Sequence, residues 1–231
     1  DNWGFQDVLF NGKEIKLSQN LESYVMENIL FKISFPAEFH AQTAVECAIK
    51  LHHQVKNRVE EVQKIYLETQ ESGYRIINKT GKLDNPADRD HCLQYMVAVP
   101  LLFGELTADH YEDKTASDPR IDLLRSKMVC KENNSYSIDY LDPQKRSIAN
   151  SIQIEFKDGS KTDKVEIHYP VGHRKRRSEG IPLLISKFKK NISTRLSDQH
   201  CTQLIEKCDD QQKFESCTVD EIMKLICREK K

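Results

Sequence analysis

The sequence predicts an α+β fold, in which a unit of mixed helices and strands is followed by a tail of helices. Two stretches of alternating apolar residues, Ser151–Phe156 and Lys164–Tyr169, are joined by a short polar segment and form the clearest predicted hairpin. Elsewhere the apolar residues recur mostly at helical spacing, and after about residue 180 they do so without any strand pattern. Strands in one unit and helices in another are typical of an α+β chain.

Composition argues against several kinds of partner. The chain has 231 residues and a formal net charge of −1, so it can bury a sizeable core but has no overall field that would attract nucleic acid or a membrane. No apolar run approaches the roughly 20 residues that span a bilayer. Seven cysteines without a C-x-x-C pair favour reduced thiols in a cytosolic or organellar compartment, and we expect a cytoplasmic protein. The last four cysteines fit no usual zinc spacing, so we expect no metal site.

The N-terminal region contains two predicted elements. Asp7–Leu17 has the pattern of a short hairpin, with Asn11 and Gly12 as the turn residues. Leu21–Ile29 has helical spacing. The chain begins at Asp1 without an initiator methionine, and we expect it to be part of a longer protein.

The stretch after these elements places a cation, a helix start and an imidazole close together. Pro36 suits the first turn of a helix that we expect to run to about Val55, since its missing N–H needs no partner there. Lys32 precedes this turn and His40 follows it, where backbone N–H groups can help to hold an anion. The alternative is an ordinary amphipathic helix whose histidine caps its own turn.

The next predicted elements are a strand and a long helix. Val62–Thr69 is rich in β-branched residues and is predicted to be a strand, and a polar loop covers Asn78–Asn85. A helix is predicted from Ala87 to about Gly104, a natural C-terminal stop. Its early residues His91 and Tyr95 would share one face, because they are four positions apart.

Each polar residue at the start of this helix has two interpretations. Tyr95 either faces a substrate or is a half-buried core aromatic whose hydroxyl donates to a carbonyl. Arg89 either binds an anionic ligand or forms a solvated salt bridge.

The second half begins with short elements and ends in the helical tail. Short helices are predicted near Thr107–Tyr111 and Pro119–Lys127, and Met128–Lys131 is a possible edge strand. The basic run after Gly172 is interpreted as a solvated linker, since a single charged cluster is not a nucleic-acid surface. The tail is predicted to contain helices at Ile181–Leu196, Gln199–Cys208 and Val219–Cys227. Its apolar residues exceed what three short helices can cover, so they need a partner surface.

Five segments of the chain carry a resemblance to a known family. They are Phe35–Ala44, Asn85–Gly104, Asp118–Asp122, Asp142–Asn150 and Tyr169–Arg174, and together they closely resemble the MmgE/PrpD family. The similarity runs from Trp3 to about Leu196 and is looser beyond. Proteins of this family are longer, so the chain resembles their C-terminal half.

The resemblance implies a domain organisation and a reaction. Residues 1–171 would form an α/β lid domain, 172–180 a linker, and 181–231 helices that return to an all-helical domain built mostly from a preceding segment. The implied reaction is loss of water from 2-methylcitrate to give 2-methyl-cis-aconitate, in the methylcitrate cycle of propionate degradation, without a metal or another cofactor. The alternatives are a family member that handles cis-aconitate or citrate, and a non-catalytic binding or assembly module that keeps the lid fold.

The resemblance also implies roles for individual residues. His40 and Tyr95 would be catalytic, and Lys32 and Arg89 would bind substrate carboxylates with support from His91. Many relatives carry a second histidine two positions after His40, where this chain has Gln42. The expected partner is a small tricarboxylate, with no nucleic acid or membrane. The full-length protein is expected to be a homodimer, and the isolated chain to be inactive.

Overall fold

The computed structural model describes residues 3–17, 20 and 29–227, so most of the helix predicted at Leu21–Ile29 lies outside the described residues. Its central feature is a four-stranded mixed sheet in the order β2-β1-β3-β4. The strands are β1 Val62–Thr69, β2 Met128–Glu132, β3 Asn150–Phe156 and β4 Val165–Ile167. β1 pairs with β2 in parallel, whereas the β1–β3 and β3–β4 pairs are antiparallel. The predicted first strand, edge strand and hairpin are confirmed, although the second hairpin strand is shorter.

Eight helices of the first 171 residues are described, which confirms the α+β prediction. They are α1 Phe5–Phe10, α2 Gln42–Val55, α3 Glu71–Ile77, α4 Pro86–Asp90, α5 Leu93–Phe103, α6 Asp113–Ala116, α7 Pro119–Ser126 and α8 Asn134–Leu141. The helices α3, α6 and α8 were not predicted. The helix predicted near Thr107–Tyr111 is a 3₁₀ turn at Ala108–Tyr111, and α7 confirms the helix predicted at Pro119–Lys127.

The core forms where α2 and α5 pack against each other and α2 packs on β3 and β4. Every residue of α5 from Leu93 to Leu102 is buried. A helix that is apolar on all sides is stable only inside a protein, and this one lies beneath its neighbours. Ile65 of β1 and Ile152 and Ile154 of β3 complete the core from the sheet side.

The hairpin predicted at Asp7–Leu17 is wrong. Phe5–Phe10 is helical, and Asn11 ends the helix in the left-handed conformation with φ of 52°. An Asn-Gly pair accepts positive φ in a hairpin turn and equally at a helix C-terminus, so the dipeptide does not distinguish the two. Residues 13–17 have no regular secondary structure.

The helix predicted from Pro36 begins later than expected, although its end at Val55 is confirmed. A 3₁₀ turn at Phe39–Ala41 comes first, and α2 starts at Gln42. The Gln42 side chain donates to the carbonyls of Phe35 and Ala37, both at 2.9 Å. These two bonds fix the segment before the turn in a non-helical path.

The single helix predicted from Ala87 to Gly104 is two helices. Cys92 has extended backbone angles, φ −120° and ψ 107°, so α4 ends at Asp90 and α5 begins at Leu93. His91 and Tyr95 therefore do not share a helix face, which corrects that expectation. The predicted stop at Gly104 is confirmed, with φ of 78°.

The described part of the tail, up to residue 227, contains four helices: α9 Arg177–Ile192, α10 Asp198–Cys208, α11 Gln211–Ser216 and α12 Val219–Ile226. The helix α9 begins at Arg177, so the last part of the predicted linker, residues 172–180, is helical. His173, which precedes this helix in the same span, is buried. The uncovered apolar surface is present on α9 and α12, with exposed Ile181, Leu183, Ile185, Phe188, Val219, Met223 and Ile226.

All seven cysteines are free. Among the described helices, none is both long and apolar enough to cross a membrane.

Candidate active site

His40 is held by the carboxylate of Glu38, two residues earlier. The backbone N–H of His40 donates to Glu38 Oε2, and the ring Nδ1 lies at hydrogen-bond distance from Oε1, both at 2.8 Å. An ionised carboxylate can only accept, so Nδ1 carries the proton in this bond. The ring is thereby oriented and its tautomer is fixed, which leaves Nε2 as the reactive nitrogen.

The other ring nitrogen meets a tyrosine from a distant part of the chain. His40 Nε2 lies 3.3 Å from the hydroxyl of Tyr140, and the two ring centroids are 5.7 Å apart. Tyr140 is on α8, which follows β2 and is capped by the Asn133 side chain. Sequence reasoning missed this residue, although the Asn133 cap and the spacing of Tyr136 and Tyr140 by four are a short helix signal.

The groups around Glu38 favour the ionised form of its carboxyl. Burial by itself raises the pKa of this carboxyl, but the hydrogen bonds from the His40 ring and N–H, with the charges of His40 and His91, more than offset it. The pKa of Glu38 is therefore lowered from its ordinary value. His91, half-exposed at the end of α4, thus lies within electrostatic reach of the cluster.

A buried network fixes the turn that carries His40. Asn150 at the start of β3 donates to the carbonyl of His40 at 2.8 Å and to Thr43 Oγ1 at 2.7 Å. Thr43 in turn donates to the Ile148 carbonyl at 2.6 Å. The same turn packs against α3, which follows the carboxyl end of β1. The cluster of Glu38, His40 and Tyr140 is therefore set against the ends of the sheet strands.

Tyr95 and Arg89 lie together, but in a different place. Tyr95 is 2% exposed, and its hydroxyl donates to the carbonyl of His110 at 2.6 Å. Arg89 is also buried, donates to the carbonyl of Tyr111 at 2.5 Å and pairs with Asp113 at 2.6 Å. Both residues line a cavity of 680 Å³, and neither His40 nor His91 lines it.

Lys32 is exposed and lies in the segment 29–33 that precedes the turn. This segment is attached to the tail, because the Lys32 carbonyl accepts from Lys187 Nζ at 2.7 Å and Phe31 N–H donates to the Gly172 carbonyl at 3.3 Å. Arg177 adds a cation–π contact to the Phe31 ring at 4.4 Å. The structure thus places His40 against Glu38, His91 beside Asp90 at the end of α4, Arg89 and Tyr95 at the cavity, and Lys32 on a segment held by α9.

Comparison with known proteins identifies the family. Residues 35–211 match the MmgE/PrpD C-terminal domain. The 2-methylcitrate dehydratase of Salmonella typhimurium is 50% identical over 226 residues, which cover 96% of this chain and 47% of that enzyme. The 2-methylcitrate dehydratase of Escherichia coli K12 is 49% identical with the same coverage. The mitochondrial 2-methylcitrate dehydratase of Yarrowia lipolytica is 53% identical over 88% of this chain and 40% of its own length.

These comparisons confirm the resemblance carried by the sequence segments. The chain spans about half the length of the curated relatives that it matches, and the shared half is their C-terminal domain. On this evidence the chain belongs to the MmgE/PrpD family.

Proposed function

We propose that the protein containing this chain is a hydro-lyase that removes water from 2-methylcitrate to give 2-methyl-cis-aconitate. The observation that carries the proposal is about 50% identity, over nearly the whole chain, to proteins named 2-methylcitrate dehydratase. The chain would contribute the C-terminal portion of that enzyme. Its place would be the methylcitrate cycle of propionate degradation.

The cluster around His40 suits the acid–base part of this reaction. Elimination of water needs a base that takes a carbon-bound proton and an acid that protonates the departing hydroxyl. With Nδ1 protonated against Glu38, Nε2 of His40 can accept a proton, and the Tyr140 hydroxyl beside it can share or relay one. Glu38 would act as a positioning residue, because it orients the ring without reaching the substrate itself.

The negative charge of a tricarboxylate requires cations near this cluster. We assign Lys32 and His91 to that role, since Lys32 precedes the turn and His91 is within electrostatic reach of Glu38. The expected roles of Tyr95 in catalysis and of Arg89 in substrate binding stay predictions. Both side chains already have partners at the cavity, so a substrate contact would require those bonds to be exchanged.

The remaining half of the enzyme would supply the other catalytic groups. Residues 1–171 would act as a lid domain and residues 181–231 as helices of the helical domain, and the exposed apolar surface on α9 and α12 fits that arrangement. We propose a cytoplasmic homodimer for the full-length protein. The isolated chain should be inactive, and turnover of 2-methylcitrate by the pure chain would contradict this proposal.

The full-length protein tests the assignment of His40. We expect His40→Gln to lower kcat for 2-methylcitrate by about 10²- to 10⁴-fold, the usual contribution of a general acid–base group. The matched control is His53→Gln, since His53 is exposed on α2 away from the cluster. An unchanged rate in His40→Gln would remove this residue from catalysis. Citrate and cis-aconitate are assayed in parallel, and preferred turnover of either would assign a different activity within the family.

A further inference from the structure

The segment between β4 and α9 contacts both elements that carry the cluster around His40. It contains a run of basic residues, 173–177, which the sequence predicts to be a solvated linker. In the structure, Arg174–Arg176 forms a 3₁₀ turn that leads directly into α9. Arg174 and Arg176, at the two ends of this turn, donate hydrogen bonds to the unit that precedes it. The segment is therefore a bonded junction rather than a linker that is solvated throughout.

Arg176 binds α2 through a bidentate ion pair. Its Nη1 donates to Glu46 Oε2 at 2.8 Å, and its Nη2 donates to Glu46 Oε1 at 3.1 Å. The remaining N–H groups donate to Glu179 on α9 and to the Tyr169 carbonyl, so all five donors of the guanidinium have acceptors. The side chains of Arg176 and Glu46 are only 19% and 17% exposed. This pair therefore attaches the start of α9 to the helix that follows His40.

Arg174 binds the loop that follows α8. Its Nη2 donates to the carbonyl of Pro143 at 2.9 Å and to the carbonyl of Gln144 at 2.6 Å. Both carbonyls come shortly after Tyr140, which lies in the last turn of α8. The two bonds therefore fix the backbone next to the turn that presents the phenol.

A single turn of chain thus bridges two elements that are distant in sequence. One is α2, which follows the turn of His40, and the other is the loop after the helix of Tyr140. Between them, His40 Nε2 and the Tyr140 hydroxyl are 3.3 Å apart, although 100 positions separate the two residues. A displacement of either element changes this distance, and misplacing a catalytic group by about 1 Å can lower a rate by about 10²-fold.

Close packing at the start of α9 limits how far the junction can move. A Cβ on Gly180 would lie 3.1 Å from the Gly172 nitrogen and 3.2 Å from Ile33 Cδ1. Arg177, the first residue of α9, donates to the Ile29 carbonyl at 2.9 Å. The junction is therefore also held by the segment that contains Ile29 and Ile33.

We propose that Arg174 and Arg176 are positioning residues for His40 and Tyr140, so that the start of α9 sets the distance between the imidazole and the phenol. The inference rests on the proposed function, because it treats these two groups as the acid–base pair of the dehydration. It extends that function by making the first turn of the tail a part of the catalytic geometry, although neither arginine contacts the pair directly.

Kinetics of the full-length protein with 2-methylcitrate test this role. We expect Arg174→Gln to lower kcat by about 10- to 100-fold and to change KM by less than about threefold, because the variant alters the His40–Tyr140 geometry and not a substrate contact. The matched control is Lys175→Gln, since Lys175 lies in the same turn but bonds to the Tyr169 hydroxyl instead. Its kcat should stay within about twofold of the unmodified enzyme.

A second variant keeps the test decisive if Arg174→Gln does not fold. Arg176→Lys retains a positive charge opposite Glu46 but cannot form the paired bonds, so kcat should fall by about tenfold.

A double-mutant cycle with His40→Gln separates positioning from a general loss of structure. If Arg174 acts through His40, Arg174→Gln should lower kcat little further in the His40→Gln background. A general loss of structure would instead lower kcat by the same factor in both backgrounds, and that result would overturn the proposal.

The ¹H–¹³C NMR signal of the His40 ring, assigned by its loss in His40→Gln, reports the geometry without the reaction. It should shift in Arg174→Gln and in Arg176→Lys, and it should stay in place in Lys175→Gln. The proposal is overturned if neither arginine variant moves this signal. An unchanged kcat in His40→Gln would instead contradict the proposed function, and the NMR signal would then decide alone whether the arginines position the ring.

Discussion

The carboxylate of Glu38 accepts two hydrogen bonds from His40, one from the backbone N–H and one from the ring, each at 2.8 Å. One side chain thus caps the 3₁₀ turn and orients the imidazole that the turn carries. On the far side of the ring, Tyr140 lies 100 positions away in sequence. Local capping therefore fixes one ring nitrogen, and the tertiary fold presents a partner to the other.

Glu38→Gln should lower kcat for 2-methylcitrate in the full-length protein by at least about tenfold. The neutral amide no longer favours the Nδ1–H tautomer, and it can present its own N–H to the ring instead. The lowered pKa keeps Glu38 ionised, so its replacement removes a negative charge beside the His40 ring. The pH profile of kcat should therefore change, in addition to the fall in the maximal kcat. The control is Glu60→Gln, an exposed carboxylate before β1. An unaltered pH profile in Glu38→Gln would contradict the positioning role.

Gly172→Ala should destabilise the chain by several kcal/mol and detach the segment that carries Lys32. A Cβ at this position would lie 2.1 Å from the Phe31 carbonyl oxygen, and Gly172 has φ of 101°. The matched control is Gly81→Ala, where φ is 93° and nothing lies within 4 Å of the added atom. In that control the free energy of unfolding should fall only by the cost of placing a residue with a Cβ in the left-handed conformation, about 1–2 kcal/mol. Urea unfolding measures both, and equal losses would show that the collision with Phe31 is relieved without cost.

The sequence predicts the interior of the fold better than its boundaries. The run of apolar residues in α5 and the alternation in β3 each depend on burial, which leaves a direct pattern in the chain. The break between α4 and α5 leaves no such pattern in the sequence, because both His91 and Cys92 are residue types that a helix accepts. The short helices α3 and α8 likewise depend on tertiary contacts, such as the Ser137 hydroxyl that accepts from the Glu71 N–H at 2.8 Å.

In the candidate site, contacts between sequence neighbours could likewise be predicted, whereas contacts between distant residues could not. His40 and Glu38 are close in sequence, so their association follows from the turn that they share. Tyr140 reaches His40 only through the placement of α8 after β2, and sequence spacing carries no record of that contact. Arg89 and Tyr95 meet at a cavity because α4 and α5 are separate helices with Arg89 directed towards Tyr111.

His173 should make the stability of the chain depend on pH below neutrality. Burial, with the charges of Arg174 and Lys175, lowers the pKa of this buried imidazole from 6.5 to about 4. The folded state then binds fewer protons than the unfolded state between these values, so the full contribution is present above pH 6.5 and is lost as the pH falls towards 4. The loss is at most about 3.5 kcal/mol, since one pKa unit corresponds to about 1.4 kcal/mol and the pKa is lowered by about 2.5.

Unfolding free energies measured in urea at several pH values check this dependence. His173→Phe should be less stable at pH 7 but should show a flatter decline between pH 6.5 and 4.5. His53→Gln, at an exposed position, should keep the wild-type slope. If His173→Phe has the same slope as the unmodified chain, another group is responsible for the acid sensitivity.

Tyr95→Phe separates the two interpretations of this residue. Its hydroxyl donates to the His110 carbonyl at 2.6 Å, and its ring lies 6.0 Å from that of Tyr111 in a stacked arrangement. Removal of the hydroxyl should therefore cost about 1 kcal/mol of unfolding free energy, the typical net value of one hydrogen bond. If the hydroxyl makes only this structural bond, kcat of the full-length enzyme should change by less than about threefold. A fall in kcat comparable to that of His40→Gln, with stability unchanged, would show that the phenol exchanges its bond with His110 for one to the substrate.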